Sequence, residues 1–443
     1  MKSISAVLLL LLTVLWACAP APDGAGTGTG QSGSTVTAII NADAHTMAAA
    51  GRIGNATILL QGARVAAVGA DIDVPDGARI IDARGNTVTP GLIASATHLG
   101  LVEVSSSLDT DDRSASSDML GASFDIRYGL NFNSVLIPVA RADGVTHAVI
   151  VPSASAQTPF AGTGALISTG AGDDLLVQSD IAMFAGIDGP SSSQSGQSRS
   201  SQWTALRLAL GQAARPDGGS GDSGSELEAV LRRADLDALH PVAEGSMPLV
   251  LRTQRESDIR QAVALARDFG IRVILYQADE AWRAAKLLAE HKIPVILDPM
   301  ANLPRRFDNI GARLDAAAIL HRAGVPLALH AWEFQMSHNA GQELRQAAGI
   351  GIANGLPWQA ALEALTAGAA RIWGIEQHIG SLEAGKGANL VIWSGDPFEM
   401  TTRPLTVIVD GQEVPLETRQ TLLRDRYMPM ITGADRPGQE NSR

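Results

Sequence analysis

Two patterns of apolar and polar positions divide the chain. Towards each end, short β-branched runs alternate with Gly, Asp and Pro: Val36–Ile40, Ala56–Leu60, Arg64–Val68 and Arg79–Asp82 on one side, Asn389–Trp393 and Leu405–Val409 on the other. Runs of this length bounded by turn residues predict strands, and β-rich segments at both ends predict one small sheet domain assembled from the two. Between them, short apolar runs alternate with segments of helical period. Strands are predicted at Val88–Ala96, Thr146–Val151, Leu249–Arg252, Arg272–Tyr276, Pro294–Leu297 and Pro326–Leu329. Helices are predicted at Glu256–Phe269, Glu280–His291, Ala312–Ala323 and Trp358–Ala370. In the first of these, Ile259, Val263 and Ala266 with Ala262, Leu265 and Phe269 form an apolar face. The alternation is that of a parallel β/α architecture. Six strands are clear where a full barrel has eight. The others are expected between Ala165 and Ile187, with Ala165–Ser168 and Leu175–Val177 as candidates. Two low-complexity patches, Pro190–Ser201 and Pro216–Gly224, flank a helical segment Trp203–Ala214 and read as surface loops.

The first 34 residues stand outside this pattern. Lys2 precedes an apolar stretch, Val7–Leu15, too short to span a bilayer, and Leu15-Trp16-Ala17-Cys18 resembles a bacterial lipobox. Residues 1–17 are therefore expected to be a signal peptide, with Cys18 the lipid anchor and 18–34, rich in Gly, Ser, Thr and Pro, a flexible tether. Ala19 rather than Asp after the cysteine points to the outer membrane, facing the periplasm. Cys18 is the only cysteine, so an intrachain disulfide, a thiolate metal site and a catalytic thiol in the folded domain are all excluded. The formal charge of -12, with only four lysines and no basic cluster, argues against nucleic acid as a partner.

The stretch Thr89-Pro90-Gly91-Leu92-Ile93-Ala94-Ser95-Ala96-Thr97-His98 resembles the first barrel strand of the amidohydrolase superfamily. Three further stretches, Val139–Pro152, Ala281–Pro299 and Gly355–Trp393, extend the resemblance to secreted imidazolonepropionase-like proteins. It implies a (β/α)8 TIM-like barrel over residues 87–385, inserted in a small β-sandwich built from 35–86 plus 386–420. It also implies hydrolysis of non-peptide C–N bonds, in cyclic amides or small N-acyl compounds, by a metal-bound water.

That family places a His-x-His pair on the first strand, where residues two apart share a face and can grip one metal ion. Here the pair is Ala96 and His98. Histidines expected from the middle strands are replaced by Arg252, Gln254 and Gln277, and an arginine has no lone pair to offer a metal. Asp279, Asp298 and His330 remain at strand ends, with Glu333 and His338 close behind. Zinc or another divalent metal held by His98, His330 and Asp298 with a water is one reading; a polar pocket without metal is the other, and it leads. As an enzyme, the chain would use Asp298 as base, with His330 or Arg252 stabilising an oxyanion. As a catalytically disabled relative, it would bind a small ligand or a partner protein, an active relative in a hetero-oligomer being one such partner. Arg252 suits an anionic ligand and favours this second role. The acidic run Glu103, Asp109, Asp111 and Asp112 lacks the spacing of a calcium loop and reads as solvated.

Overall fold

A computed structural model describes residues 36–432 apart from 105, 116–119, 154–157, 188–197, 216–225, 302–305 and 332–339. Cys18, Glu333 and His338 thus lie outside the described residues. The chain begins with strands Val36–His45 (β1), Arg52–Gln61 (β2), Arg64–Gly69 (β3), Arg79–Asp82 (β4) and Thr87–Pro90 (β5). β1 is the hub. It runs antiparallel to β2 on one side and parallel to β4, then β5, on the other. Its inward positions Ile39, Ala42 and Ala44 pack with Ile58, Leu60 and Val88 in a core of their own.

From β5 the chain passes directly into Leu92–Thr97 (β6), then Val145–Ile150 (β7), Phe160–Thr163 (β8), Ala165–Ser168 (β9), Leu176–Gln178 (β10) and Met183–Gly186 (β11). Leu249–Arg252 (β12), Val273–Tyr276 (β13), Val295–Leu297 (β14) and Leu327–Leu329 (β15) follow, separated by helices. β6 and β7 are parallel, as are β11 through β15. The two groups are joined by β8 and β9, which run antiparallel to β11 and β7 respectively. Gly164 separates them: a Cβ there would sit 2.5 Å from Phe184 and 2.8 Å from the Ile150 carbonyl, so only glycine lets the strand bend between two sheets.

These strands correct the sequence expectation in two ways. The bent element at Ala165–Ser168 is real but antiparallel, and the Leu175–Val177 candidate becomes the edge strand β10; the parallel member is Met183–Gly186. Nor does the ring close by hydrogen bonding, since among the described residues no ladder joins β15 to β6. At that seam the Ile93 amide instead donates to the Leu365 carbonyl (2.8 Å). Leu365 lies where the predicted helix Trp358–Ala370 breaks into Trp358–Ala364 and Ala367–Trp373, so the break satisfies the open edge of β6.

Strand alternation sorts the barrel side chains. Leu249, Leu251, Leu275, Leu297 and Leu329 pack outward against helices such as Glu256–Phe269, capped by left-handed Gly270. Ile93, Ala96, Phe184, Val250, Ile274, Tyr276, Ile296 and Ala328 form the interior cluster. The low-complexity patch Pro190–Ser201 ends within a helix, Arg199–Ala213, where Ser198 caps the first turn and Arg199 pairs with Asp258 and Asp308.

The chain returns through Leu390–Trp393 (β16), Pro404–Val409 (β17) and Gln412–Glu413 (β18), with β16 antiparallel to β5. Both ends thereby form a single eight-stranded sheet in the order β18-β17-β16-β5-β1-β2-β3, with β4 branching from β1. These ladders describe one branched sheet. The Trp393 indole donates to Thr89 Oγ1 (2.9 Å) and fixes the junction between this sheet and the barrel.

Candidate functional site

The C-terminal end of β6 carries the first component. Ala96 belongs to the interior cluster, and His98, two residues on, is likewise buried. A methyl group therefore fills the place of the first expected ligand. His98 Nδ1 lies 3.5 Å from Arg113 Nη1, and Nε2 lies 3.4 Å from Ser153 Oγ. Arginine only donates, so the contact assigns the Nδ1 lone pair to the guanidinium and leaves Nε2 to carry the proton. Arg113 is itself held: Asp111 pairs with it at 3.0 Å, and its carbonyl accepts from the Ser153 amide at 2.8 Å. Burial, and then the Arg113 charge, lower the His98 pKa to about 3.

The second component spans β11 to β15. Gly186, Arg252, Tyr276, Ile296 and Ala328 are neighbours in one register row. Continuing the alternation by two residues brings Asp298 and His330 to the same interior end. The Arg252 guanidinium lies over Gly186, where a Cβ would meet Nη2 at 3.4 Å. The Tyr276 ring sits 4.9 Å from the His330 ring, tilted by 47°. Burial pushes the Tyr276 phenol up; the Arg252 charge opposes this and the Asp298 charge adds to it. Asp298 Oδ1 accepts from the Met300 amide (2.8 Å), which orients the carboxylate at the strand end.

His330 is the anomaly. It is 1% exposed, and neither ring nitrogen has a hydrogen-bond partner among the described residues. Burial alone lowers its pKa to about 3. Two orphaned polar atoms in a buried ring cost roughly 1–3 kcal/mol each unless something else satisfies them, which marks the spot where a ligand would be welcomed.

The remaining sequence candidates divide. Gln277 has left the strand, with φ +54°, and its amide reaches the Tyr276 hydroxyl at 3.5 Å. Tyr276 holds the inward position, so the residue facing the interior is the tyrosine that sequence reading passed over. Period-two alternation from Ile274 was the available signal. The Gln254 carbonyl accepts from the Glu280 amide (3.0 Å), and the Asp279 amide donates to the Gln277 carbonyl (2.9 Å). Both lie in the loops that follow β12 and β13. Glu280, also missed, accepts from the amides of Glu256 and Gly311 and ties neighbouring loops together. Arg113 and Ser153 had no sequence signal, because only the fold brings them to His98.

A divalent metal fits this donor set poorly. Among the described residues no three His, Cys, Asp or Glu side chains come together as a metal-holding group. The nitrogen of His98 that faces Arg113 is opposed by a cation, and Arg252 adds a second positive charge to the interior.

Residues 255–415 match the Amidohydrolase family (Amidohydro_3). The match covers a little over a third of the chain. The chain is also similar to amidohydrolase tasK from Hapsidospora irregularis, 24% identical over 379 residues that cover 76% of this chain and 37% of tasK. A shorter likeness, 49% identical over 55 residues, links it to imidazolonepropionase from Anaeromyxobacter sp. (strain K), over 11% of this chain and 13% of that enzyme. The chain thus spans little more than a third of tasK and a small part of the imidazolonepropionase, so the narrower resemblance rests on a short segment. Among solved structures, an amidohydrolase from Thermotoga maritima MSB8 superposes with TM-score 0.73 at 25% identity, covering 86% of this chain and 99% of that one. Molinate hydrolase shares the fold at TM-score 0.54 and 15% identity, covering 93% and 99%.

Proposed function

We propose that this protein is an amidohydrolase relative that binds a small anionic molecule, a carboxylate or N-acyl compound, in the barrel interior, with the metal-dependent chemistry of such folds lost. One observation carries the reading: Arg113 presents its guanidinium to the His98 nitrogen while Ala96 stands two residues before it. A cation there repels a metal and attracts an anion. Arg252 supports the same reading from the opposite strands, and the orphaned His330 offers a donor and an acceptor to a bound ligand. The test is titration calorimetry with a panel of small carboxylates and N-acyl amino acids, repeated with Arg252→Ala. At least about tenfold weaker binding in the variant is expected; unchanged affinity removes Arg252 from the pocket and sinks the reading.

A second reading, hydrolysis of non-peptide C–N bonds, is favoured by the convergence of His330, Tyr276 and Asp298. In it, Asp298 would take a proton from water, and the neutral His330 or Arg252 would stabilise the oxyanion. Its test is ring opening of cyclic amides to the corresponding amino acids by metal-free protein, abolished in His330→Leu. On the lipobox-like run ending at Cys18 we further propose a lipid-anchored protein of the outer membrane, facing the periplasm, in which a hetero-oligomer with an active relative would supply catalysis. Loss of labelled-lipid incorporation in Cys18→Ala tests the anchor, and co-purification tests the partner.

A further inference from the structure

A cavity of about 700 Å³ opens at the other end of the barrel, where the strands begin. Its floor is apolar, formed by residues such as Ile271, Ile293, Val325 and Ile372. Its polar lining is cationic. Arg272, Lys292 and Arg371 line it together with a single carboxylate, Glu363, and His291 and His321 add further nitrogen donors. Three fixed cations against one carboxylate leave a surplus of two positive charges, in a chain whose formal charge is -12 and which has four lysines in all.

The backbone singles out Lys292. Each of the four helix-to-strand turns preceding β12 to β15 contains one residue in the left-handed region: Gly245 at φ +76°, Gly270 at +68°, Lys292 at +53° and Gly324 at +80°. Three turns use glycine, for which this conformation is free; the fourth holds a lysine at a cost of about 1 kcal/mol. Arg272 is committed to the Gly245 and Ser246 carbonyls, and Arg371 to Glu363. The side chains of Lys292, His291 and His321 have no hydrogen-bond or ion-pair partner among the described residues.

We propose that this cavity is a second ligand site, for a phosphorylated small molecule with an apolar body. A phosphate monoester carries close to two negative charges at neutral pH, matching the surplus on the wall, and offers three acceptor oxygens to donors on different turns. The apolar floor takes the remainder of the molecule. The site is separate from the barrel interior by position and by charge partners, and it stands whether or not the interior binds an anion.

The test is calorimetric titration of the full-length chain in detergent at low salt with phenyl phosphate, inorganic phosphate and phenol. Phenyl phosphate is expected to bind one site, more tightly than inorganic phosphate, with phenol failing to compete. Lys292→Gly combined with His321→Ala should weaken phenyl phosphate at least about tenfold. Glycine suits that turn, so the double variant should keep its unfolding temperature. Arg252→Ala should leave phenyl phosphate binding unchanged, separating this site from the interior. Absence of binding, equal affinity in the double variant, or loss of binding in Arg252→Ala would each overturn the proposal.

Discussion

The Nδ1 atom of His98 faces the guanidinium of Arg113 across 3.5 Å, in the interior of the barrel. A histidine in that setting is a neutral hydrogen-bonding group, and removing the arginine alone does not make it a metal ligand. Ala96→His alone is therefore expected to leave zinc uptake near background in equilibrium dialysis. Ala96→His with Arg113→Ala should raise it, because two imidazoles then share a strand face with no opposing cation. Equal uptake in the two variants would show that Arg113 has no part in excluding metal.

His330 is predicted to trade stability for function. Leucine in its place removes two unpartnered buried nitrogens and leaves an apolar side chain of similar size. His330→Leu should gain roughly 1 kcal/mol in urea unfolding while losing ligand affinity. A loss of stability would mean that the imidazole is satisfied within the fold.

Acid should unfold this protein early. His98 and His330 each have a folded pKa of about 3 against an ordinary value of 6.5, and His147, buried in β7, one of about 4. As pH falls below 6.5 the unfolded chain takes up these protons first, so stability is lost between pH 6.5 and about 3. Together the three are worth on the order of ten kcal/mol. Urea midpoints at pH 7.5, 5.5 and 4.5 should decline, and less steeply in His330→Leu. Equal slopes in wild type and variant would contradict the assignment of His330.

Gly164→Val should be among the most damaging single substitutions. The added carbons must enter space held by the Phe184 ring and the Ile150 carbonyl, and overpacking at such a site costs typically 1–3 kcal/mol or more. Thermal unfolding a few degrees or more below wild type is expected. A wild-type midpoint would show that the bend between β8 and β9 can move.

Much of the architecture was legible because it rests on local periodicity. The parallel strands β12 to β15 and the apolar face of Glu256–Phe269 follow from runs and spacings that a linear reading detects. What escaped depends on tertiary partners. The reversal of Phe160–Ser168 is decided by which neighbours it pairs with, and no pattern in four-residue runs encodes direction. The helix break at Leu365 serves the edge of β6 across a separation of more than 270 residues. At the site, His98, Asp298 and His330 could be named from strand ends, whereas Arg113 and Ser153 arrive on loops. Gln277 misled because it lies one residue past the strand, and its positive φ removes it from the alternation that Tyr276 obeys.

The sheet that joins β5 to β16 has a consequence in time. Thr89 and Trp393 meet across a sequence separation of 304, so β5 must wait with an unpaired edge until nearly the whole polypeptide has emerged. Late closure over such a distance slows folding and leaves a strand edge open to other chains. A nascent chain halted before Leu390 is expected to remain sensitive to protease over residues 36–90, becoming resistant only once β16 is released. The edge of β5 that β16 covers is thus the place where completion of the sheet depends on the last part of the chain to be made.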